Sequence, residues 1–332
     1  MPIRRVIASV AITFNVASVL VLAMLLGLPD ASLWMRNILF VRPLMLAELE
    51  RVVALPPEGL KPSSGNSVFG SSGSSVVQRV QEICRDRSTE CASRTLAAYL
   101  ASIGRSRGCG SYRTQADLVE GVLAGGGCCS DVVKTFLLLA PELGFAAREV
   151  HIPSHTSAEV WDEARRRWIW IDPFIGYQAF ANDQLLSHID IYNRFSEGRP
   201  VQFSLIQSKL SGAIPSSSNY AGYRPAAYQA VFYTPTNSLK QSAALSDWLG
   251  GTPLPKPVRE LVLYLTVKPP LLATASGFNF FLLSMARSSA LAWLLAWLSS
   301  LLILIVQALY HRKAGIAPSQ DNLKQPTEAP QV

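Results

Sequence analysis

The sequence is poor in charged residues. Only 16% of its 332 residues are Asp, Glu, Lys or Arg, whereas 49% are hydrophobic, and the mean hydropathy is +0.22. This composition is too apolar for an ordinary soluble protein, so it predicts membrane-spanning segments.

The chain also has no basic run interleaved with aromatic residues, which a nucleic-acid surface would need. Its net charge of +7 is spread along the chain. We interpret this charge as a contribution to solubility and to proximity to anionic lipid. No nucleic-acid partner is therefore expected.

Metal-binding patterns are missing as well. The chain has 5 cysteines and 4 histidines, but no CxxC pair occurs. The spacing from His151 to His155 is suitable for two ligands on a helix, but Pro153 interrupts it. We therefore expect neither a metal site nor another cofactor.

Two apolar runs stand at the ends of the chain, at residues 6–28 and 290–310. Each is long enough to cross a hydrocarbon core of about 30 Å as a helix. They predict an N-terminal anchor over 1–28 and a second transmembrane helix over 286–313. A cleaved signal peptide is the alternative for the first run, because Arg4 and Arg5 precede it.

Basic residues next to the two runs predict the topology. Arg4 and Arg5 precede the first run, and a His-Arg-Lys sequence at 311–313 follows the second. By the positive-inside tendency both termini lie in the cytoplasm, although Arg36 and Arg287 at the opposite ends weigh against this. The central domain is then periplasmic, or otherwise extracytoplasmic.

The odd number of cysteines fits an oxidising compartment with two disulfides and one free thiol. One such pairing joins Cys84 to Cys91 and Cys109 to Cys128, which leaves Cys129 free. A fully reduced set is the alternative, and the sequence does not determine the connectivity.

The region between the runs changes from helical to strand periodicity. Apolar residues recur at helical spacing between 76 and 143, and β-branched or aromatic runs follow at 147–152, 158–161 and 168–171. We therefore predict an α+β fold, with a helical half followed by an antiparallel sheet.

The remaining segments carry weaker signals. A short helix is predicted around 43–53, a Pro/Ser/Gly linker over 56–75, a helix over 182–194 and a strand over 258–267. The predicted organisation is a juxtamembrane segment and linker over 29–75, a central domain over 76–180, an extension of unknown role over 181–285, and a disordered tail over 314–332.

A glycine turn at 125–127 delivers Cys129 to the start of an amphipathic helix. There the helix dipole and free N–H groups favour the thiolate, and the N–H of Cys129 is placed to hold an oxyanion. His155, at the entry of a strand, is the candidate base, and Asp172 on the following strand is the candidate that orients it.

Each of these assignments has an alternative. Cys128 is an alternative nucleophile, one residue before the position that the helix register favours. A vicinal disulfide between Cys128 and Cys129 would leave no nucleophile. His151 is a rival base, Asp172 before Pro173 also fits a simple turn, and Glu159 is better explained as a hydrogen-bonding strand residue.

Together these motifs resemble the transglutaminase-like branch of the papain-type cysteine enzymes. The residues that carry the resemblance are Gly127-x-Cys129-x-Asp131, Phe136, Leu143, Gly144 and Arg148, then His155-x-x-x-Glu159-Val160 and Trp168-x-x-x-Asp172-Pro173. It covers about a third of the chain and implies Cys129 as nucleophile, His155 as base and Asp172 as orienting acid.

The chain departs from the family pattern at two residues, and its link from the cysteine to the histidine is shorter than usual. Ser157 stands where an aromatic residue is usual two positions after the histidine, and Val132 stands where one is common after the cysteine. The resemblance also implies an oxyanion donor upstream of the nucleophile, for which Tyr112 and Gln115 are the candidates.

The sequence therefore predicts a membrane-anchored thiol enzyme that works through a Cys129 thioester, most simply by hydrolysing an amide or peptide. The expected partners are a protein or peptide substrate, the membrane and components of an envelope complex. The alternative is a catalytically silent scaffold module in an envelope or surface-polymer assembly.

Overall fold

The computed structural model separates the chain into two compact units, Met1–Ala31 with Ser284–Val332, and Ser32–Leu283. It describes residues 2–27, 41–57, 69–85, 88–104, 108–110, 112, 114–153, 155–206, 223, 225–228, 230–234, 243–254, 258–259, 262–263, 271–274 and 280–314.

Helices and strands alternate in groups along these residues. The helices are α1 Pro2–Gly27, α2 Leu46–Val53, α3 Gly70–Ile83, α4 Thr89–Ser102, α5 Gln115–Leu123, α6 Cys129–Leu139, α7 His188–Ser196, α8 Ala243–Gly250 and α9 Phe280–Ala314. The strands are β1 Val41–Leu44, β2 Ala147–Ile152, β3 His155–Asp162, β4 Arg167–Asp172, β5 Tyr177–Ala181, β6 Gln184–Leu185, β7 Gln202–Leu205, β8 Phe232–Tyr233 and β9 Leu271–Thr274.

The first unit contains the two apolar helices. Within α9, Ser284–Tyr310 is long and apolar enough to cross a membrane, and α1 contains a shorter apolar stretch, Ser9–Leu20. The side-chain amide of Asn15 on α1 donates a hydrogen bond to the Ser300 hydroxyl on α9 at 2.6 Å. Two apolar helices are thus joined by a polar contact.

The second unit is built on one mixed, mostly antiparallel sheet. Its strand order is β1-β9-β8-β2-β3-β4-β5-β6, with β7 pairing to β5. Only the β1–β9 pair is parallel among the pairings of the described strands. Strands β2 to β4 form the central meander, in which Ala147 lies opposite Val160 and Ala158 opposite Ile171. The predicted α+β class is confirmed.

Helices α3 to α6 cover one face of this sheet. Their apolar sides meet Ala158, Val160 and Ile171 in a single buried cluster. Phe136 of α6 and Leu96 of α4 are fully buried within it, and burial of each such side chain stabilises the fold by roughly 1.5–3 kcal/mol. This packing fixes α6, and therefore Cys129 at its first turn, against the sheet.

An aromatic cluster covers the opposite face. Trp170 of β4 lies at its centre, and Phe203, Tyr223, Tyr228 and Tyr233 come from the part of the chain after residue 181. Trp170 packs edge-on against Tyr223 at 5.1 Å between ring centroids. The segment predicted as an extension of unknown role therefore supplies half of the second core and strands of the same sheet.

Several local predictions need correction. Gly70–Ser75 begins α3, so the predicted linker is wrong at its end, because packing against α5 outweighs the weak helix propensity of Ser and Gly. The predicted strand at 258–267 is also wrong where the structure describes it, since residues 258–259 and 262–263 are helical.

Two predicted helices begin later than expected. Val41–Leu44, which overlaps the start of the predicted 43–53 helix, pairs with β9 as a strand. Asn182 and Asp183 take left-handed φ values of 49° and 60° in a turn, so α7 starts only at His188. The predicted disordered tail beyond Ala314 lies outside the described residues.

Candidate active site

The turn before Cys129 is shaped by the end of α5. The Gly126 N–H donates to the Gly121 carbonyl at 2.9 Å and the Gly125 N–H to the Val122 carbonyl at 3.1 Å. This pair of hydrogen bonds is typical of a helix that ends in a left-handed residue, here Gly125 with φ 89°. Gly127 also has a positive φ of 90°, and a Cβ there would lie 2.9 Å from the Cβ of Asp131.

Asp131 holds the start of α6 in place. Its buried Oδ2 accepts hydrogen bonds from the Cys128 N–H at 3.2 Å and the Gly110 N–H at 2.9 Å. A disulfide between Cys109 and Cys128 joins the same two segments. The cysteine turn is therefore fixed by a covalent bond and by two hydrogen bonds to one carboxylate.

The disulfides decide which cysteine is free. Cys84 pairs with Cys91, and Cys109 with Cys128, as in the pairing considered from the sequence. Cys128 as nucleophile and a Cys128–Cys129 disulfide are both contradicted, because Cys129 is the free thiol. Asp131 clusters with the sulfurs of Cys109 and Cys128, but those sulfurs are bonded to each other and offer no thiolate to a metal.

The structure brings Cys129, His155 and Asp172 together. The Nε2 of His155 donates to the Oδ2 of Asp172 at 2.7 Å, and the His155 side chain also hydrogen-bonds with the Cys129 thiol. Because Nε2 is used by Asp172, Nδ1 is the ring nitrogen left for the sulfur. The three groups form one hydrogen-bonded line from the first turn of α6 to the end of β4.

Asp172 has a complete set of donors. Its Oδ1 accepts from the N–H groups of Phe174 at 2.7 Å and Ile175 at 3.2 Å, and its Oδ2 accepts from His155 and from the hydroxyl of Tyr223. The side chain is 0% exposed. Four donors hold this buried carboxylate rigidly, so Asp172 is more than a turn residue.

The electrostatics of the site favour an ion pair. Burial raises the pKa of the Cys129 thiol, but the hydrogen bond and positive charge of His155 and the Thr156 N–H outweigh burial, and the pKa lies below its ordinary value. Burial lowers the pKa of His155, but the charge of Asp172 and the hydrogen bonds to Asp172 and Cys129 raise it to about 10. Both shifts favour the thiolate–imidazolium pair over the neutral thiol and imidazole.

Aromatic rings surround the His155 imidazole. Phe174 lies 6.0 Å away and Tyr223 5.7 Å away, between ring centroids. At Ser157, where the resemblance predicts an aromatic residue, the hydroxyl accepts a hydrogen bond from the Nε1 of Trp170 at 2.8 Å. Trp170, which packs edge-on against Tyr223, thus lies next to this small side chain.

The rival residues lie in other networks. The Nδ1 of His151 is 3.0 Å from the Thr156 hydroxyl and its Nε2 is 3.4 Å from Glu149. Glu159 is paired with Arg148 at 2.7 Å and accepts from the His188 N–H at 2.6 Å. Neither arrangement is that of a base for Cys129, and Glu159 is the hydrogen-bonding strand residue that the sequence predicted.

The two oxyanion candidates occupy different places. The ring of Tyr112 fills the space above Gly121, and its hydroxyl lies 3.1 Å from where a Cβ of Gly126 would be. The backbone N–H of Gln115 donates to Asp247 of α8 at 3.3 Å. Tyr112 is the candidate beside the cysteine turn, and its role as oxyanion donor stays a prediction.

Sequence reasoning missed Tyr223. It follows a stretch rich in Ser and Tyr without clear periodicity, and 51 positions separate it from Asp172. No local pattern marks a tyrosine that reaches a carboxylate at that distance in sequence.

No protein-family model matches this chain, and no curated protein and no solved structure matches it either.

Proposed function

We propose that this protein is a membrane-anchored, transglutaminase-like cysteine enzyme that transfers acyl groups through a thioester on Cys129. The observation that carries the proposal is the hydrogen-bonded line Cys129–His155–Asp172, with a free thiol at the start of a helix. The packing of helices α3 to α6 on a mostly antiparallel sheet supports the proposal, because it brings a thiol at a helix start next to an imidazole on a strand.

The first half of the reaction forms the thioester. The Cys129 thiolate attacks the carbonyl carbon of an amide, a C–S bond forms, and the carbonyl π electrons move to the oxygen. The N–H of Cys129 at the helix start stabilises the resulting oxyanion. When the intermediate collapses, the C–N bond breaks and the leaving nitrogen takes the proton of the His155 imidazolium.

The second half regenerates the thiolate. Neutral His155 takes a proton from water while the water oxygen attacks the thioester carbonyl, and the acid leaves as the C–S bond breaks. Asp172 holds the ring in one orientation throughout. An amine in place of water gives transfer instead of hydrolysis, and hydrolysis is the simpler outcome because it needs no acceptor site.

A measurement of Cys129 reactivity tests this proposal. In the full-length protein in detergent, with both disulfides intact, iodoacetamide is expected to alkylate Cys129 faster at pH 6 than a model thiol with a pKa of about 8.5. The sign follows from the lowered thiol pKa, since a larger fraction of Cys129 than of an ordinary thiol is ionised at a given pH. Its imidazolium partner persists until His155 deprotonates near pH 10.

A surrogate substrate checks the covalent step. Para-nitrophenyl acetate should release a burst of nitrophenolate equal to the enzyme concentration, as the acetyl group moves to Cys129. Cys129→Ser should give neither the burst nor alkylation. If wild-type Cys129 reacts no faster than the model thiol and no burst appears, the scaffold role in an envelope assembly is the correct interpretation.

The proposed location is the envelope, with both apolar helices crossing the membrane and the central unit outside the cytoplasm. Support comes from the two disulfides, which persist in oxidising compartments, and from the Asn15–Ser300 hydrogen bond near the middle of both apolar helices. In lipid such a contact satisfies groups that have no water to bind. A protein or peptide of the envelope is then the substrate class within reach.

Topology is tested separately from chemistry. Alkaline phosphatase fused after Ser64 should be active, because it folds only outside the cytoplasm, whereas a fusion after the last residue should be inactive. Green fluorescent protein at the same two positions should give the reverse pattern. An active phosphatase at the C-terminus would overturn the two-span topology.

A further inference from the structure

We propose that Tyr223 is a positioning residue of this site: its hydroxyl completes the hydrogen-bond shell of Asp172, and its ring closes one side of the His155–Asp172 pair. This rests on the proposed function, and it assigns a role in the site to the segment after residue 181.

The contacts of Tyr223 join it to both groups. Its hydroxyl donates to Oδ2 of Asp172, the same oxygen that accepts from His155. Its ring meets the His155 ring edge-on, with an interplanar angle of 82°. Two backbone N–H groups hold only Oδ1, so the hydroxyl of Tyr223 is what fixes the oxygen that faces His155.

Tyr223 is itself held firmly. Its ring stacks on Phe203 at 5.1 Å and packs edge-on against Trp170, which is anchored by its bond to Ser157. The side chain is buried, with 7% of the residue exposed. A rigid aromatic wall of this kind excludes water, and exclusion of water strengthens the interaction between the carboxylate and the imidazolium.

The hydroxyl stays a donor over the working range of pH. Burial and the negative charge of Asp172 raise the pKa of Tyr223 well above its ordinary value, so it remains protonated. The charged or titratable groups that act on the His155 pair are Cys129 on α6, Asp172 on β4 and Tyr223. The charge of His155 also acts on His188 of α7. Burial lowers the pKa of His188 to about 3, so His188 stays neutral.

The hydroxyl therefore acts on Cys129 through two other groups. Without it, Oδ2 of Asp172 loses a donor in a buried place, and the carboxylate is free to turn away from His155 or to draw in water. The imidazolium is then less well aligned with the sulfur. Because His155 is what lowers the thiol pKa against the effect of burial, that pKa rises.

Tyr223→Phe tests this with the ring retained. The pH profile of Cys129 alkylation is measured with iodoacetamide in the full-length protein, where mass spectrometry reports on the one free cysteine. We expect the rise of the alkylation rate with pH to move to higher pH. The rate constant at pH 6 should fall by about threefold or more, which corresponds to a rise of roughly half a unit in the Cys129 pKa.

Tyr228→Phe is the matched control, because Tyr228 lies in the same aromatic cluster and its ring packs on His188 and Phe195. It should leave the profile at the wild-type position. Thermal unfolding of both variants separates a local effect from a loss of fold, and equal melting temperatures with different profiles support the positioning role.

The outcomes distinguish the two proposals. A reactive wild-type Cys129 with an unchanged profile in Tyr223→Phe overturns the role of Tyr223 and leaves the enzyme proposal intact. An equal shift in Tyr228→Phe also overturns it, because the effect then belongs to the cluster. An unreactive wild-type Cys129 defeats the proposed function itself.

Discussion

Replacement of His155 by alanine is expected to lower the rate of Cys129 alkylation at pH 6 by about 100-fold. His155 provides the hydrogen bond and the positive charge that keep the thiol pKa below its ordinary value. Without the imidazolium, only the Thr156 N–H opposes burial and the charge of Asp172, so the thiol pKa rises and the thiolate fraction at pH 6 falls. The measurement is the iodoacetamide rate constant between pH 5 and pH 10.

His151→Asn provides the control and tests the rival base directly. His151 lies near the end of β2, before the turn that leads to His155, and its ring is hydrogen-bonded to Thr156 on the neighbouring strand. We expect its replacement to change the rate by less than about threefold, since the ring makes none of the contacts that ionise the thiol. A large loss with His151→Asn and none with His155→Ala would reverse the assignment.

Glu159→Ala is expected to destabilise the central unit by about 3–5 kcal/mol, the cost of leaving a buried charge without its partner. The Arg148 and Glu159 side chains are 4% and 0% exposed. The Arg148 guanidinium is enclosed between Trp168 at 4.0 Å and Tyr233 at 5.0 Å from its carbon to the ring centroids. Water therefore compensates the guanidinium only poorly for the lost carboxylate.

Thermal unfolding of the full-length protein measures this effect, as a fall of roughly 10 °C in the melting temperature. Arg94→Ala is the matched control, because the Arg94–Glu90 pair is exposed at 43% and 41% and should contribute at most about 0.5 kcal/mol. The double replacement Arg148→Met with Glu159→Leu should recover most of the loss. A Glu159→Ala protein as stable as wild type would contradict the buried-pair interpretation.

The parts of the site that could be predicted are those with local signals. Cys129 follows a glycine turn and precedes an amphipathic helix, so its place at a helix start is visible in a few residues. His155 and Asp172 begin and end neighbouring strands of one hairpin, and the short loop between the strands brings them side by side. Period and turn chemistry indicated these three residues, but they left Cys128 and His151 as alternatives.

The parts that could not be predicted depend on contacts distant in sequence. Tyr223 reaches Asp172 through the packing of a whole aromatic cluster, and Val41–Leu44 is a strand only because β9 lies beside it. Ser71 and Ser72 have weak helix propensity, yet they lie in α3, where the Ser72 N–H donates to Glu120 at 3.0 Å. Tertiary contacts decide the structure wherever local preference is weak.

The pairing of β1 with β9 has a consequence for how the protein is made. Val41 lies opposite Leu271 in the sheet. Among the described strands, the first to be synthesised therefore cannot pair until the last has been made. Sheets closed by such distant segments form slowly and expose unpaired edges in the meantime. The sheet is therefore complete only after residues 271–274 have been made, and the nascent central unit needs protection from aggregation until then.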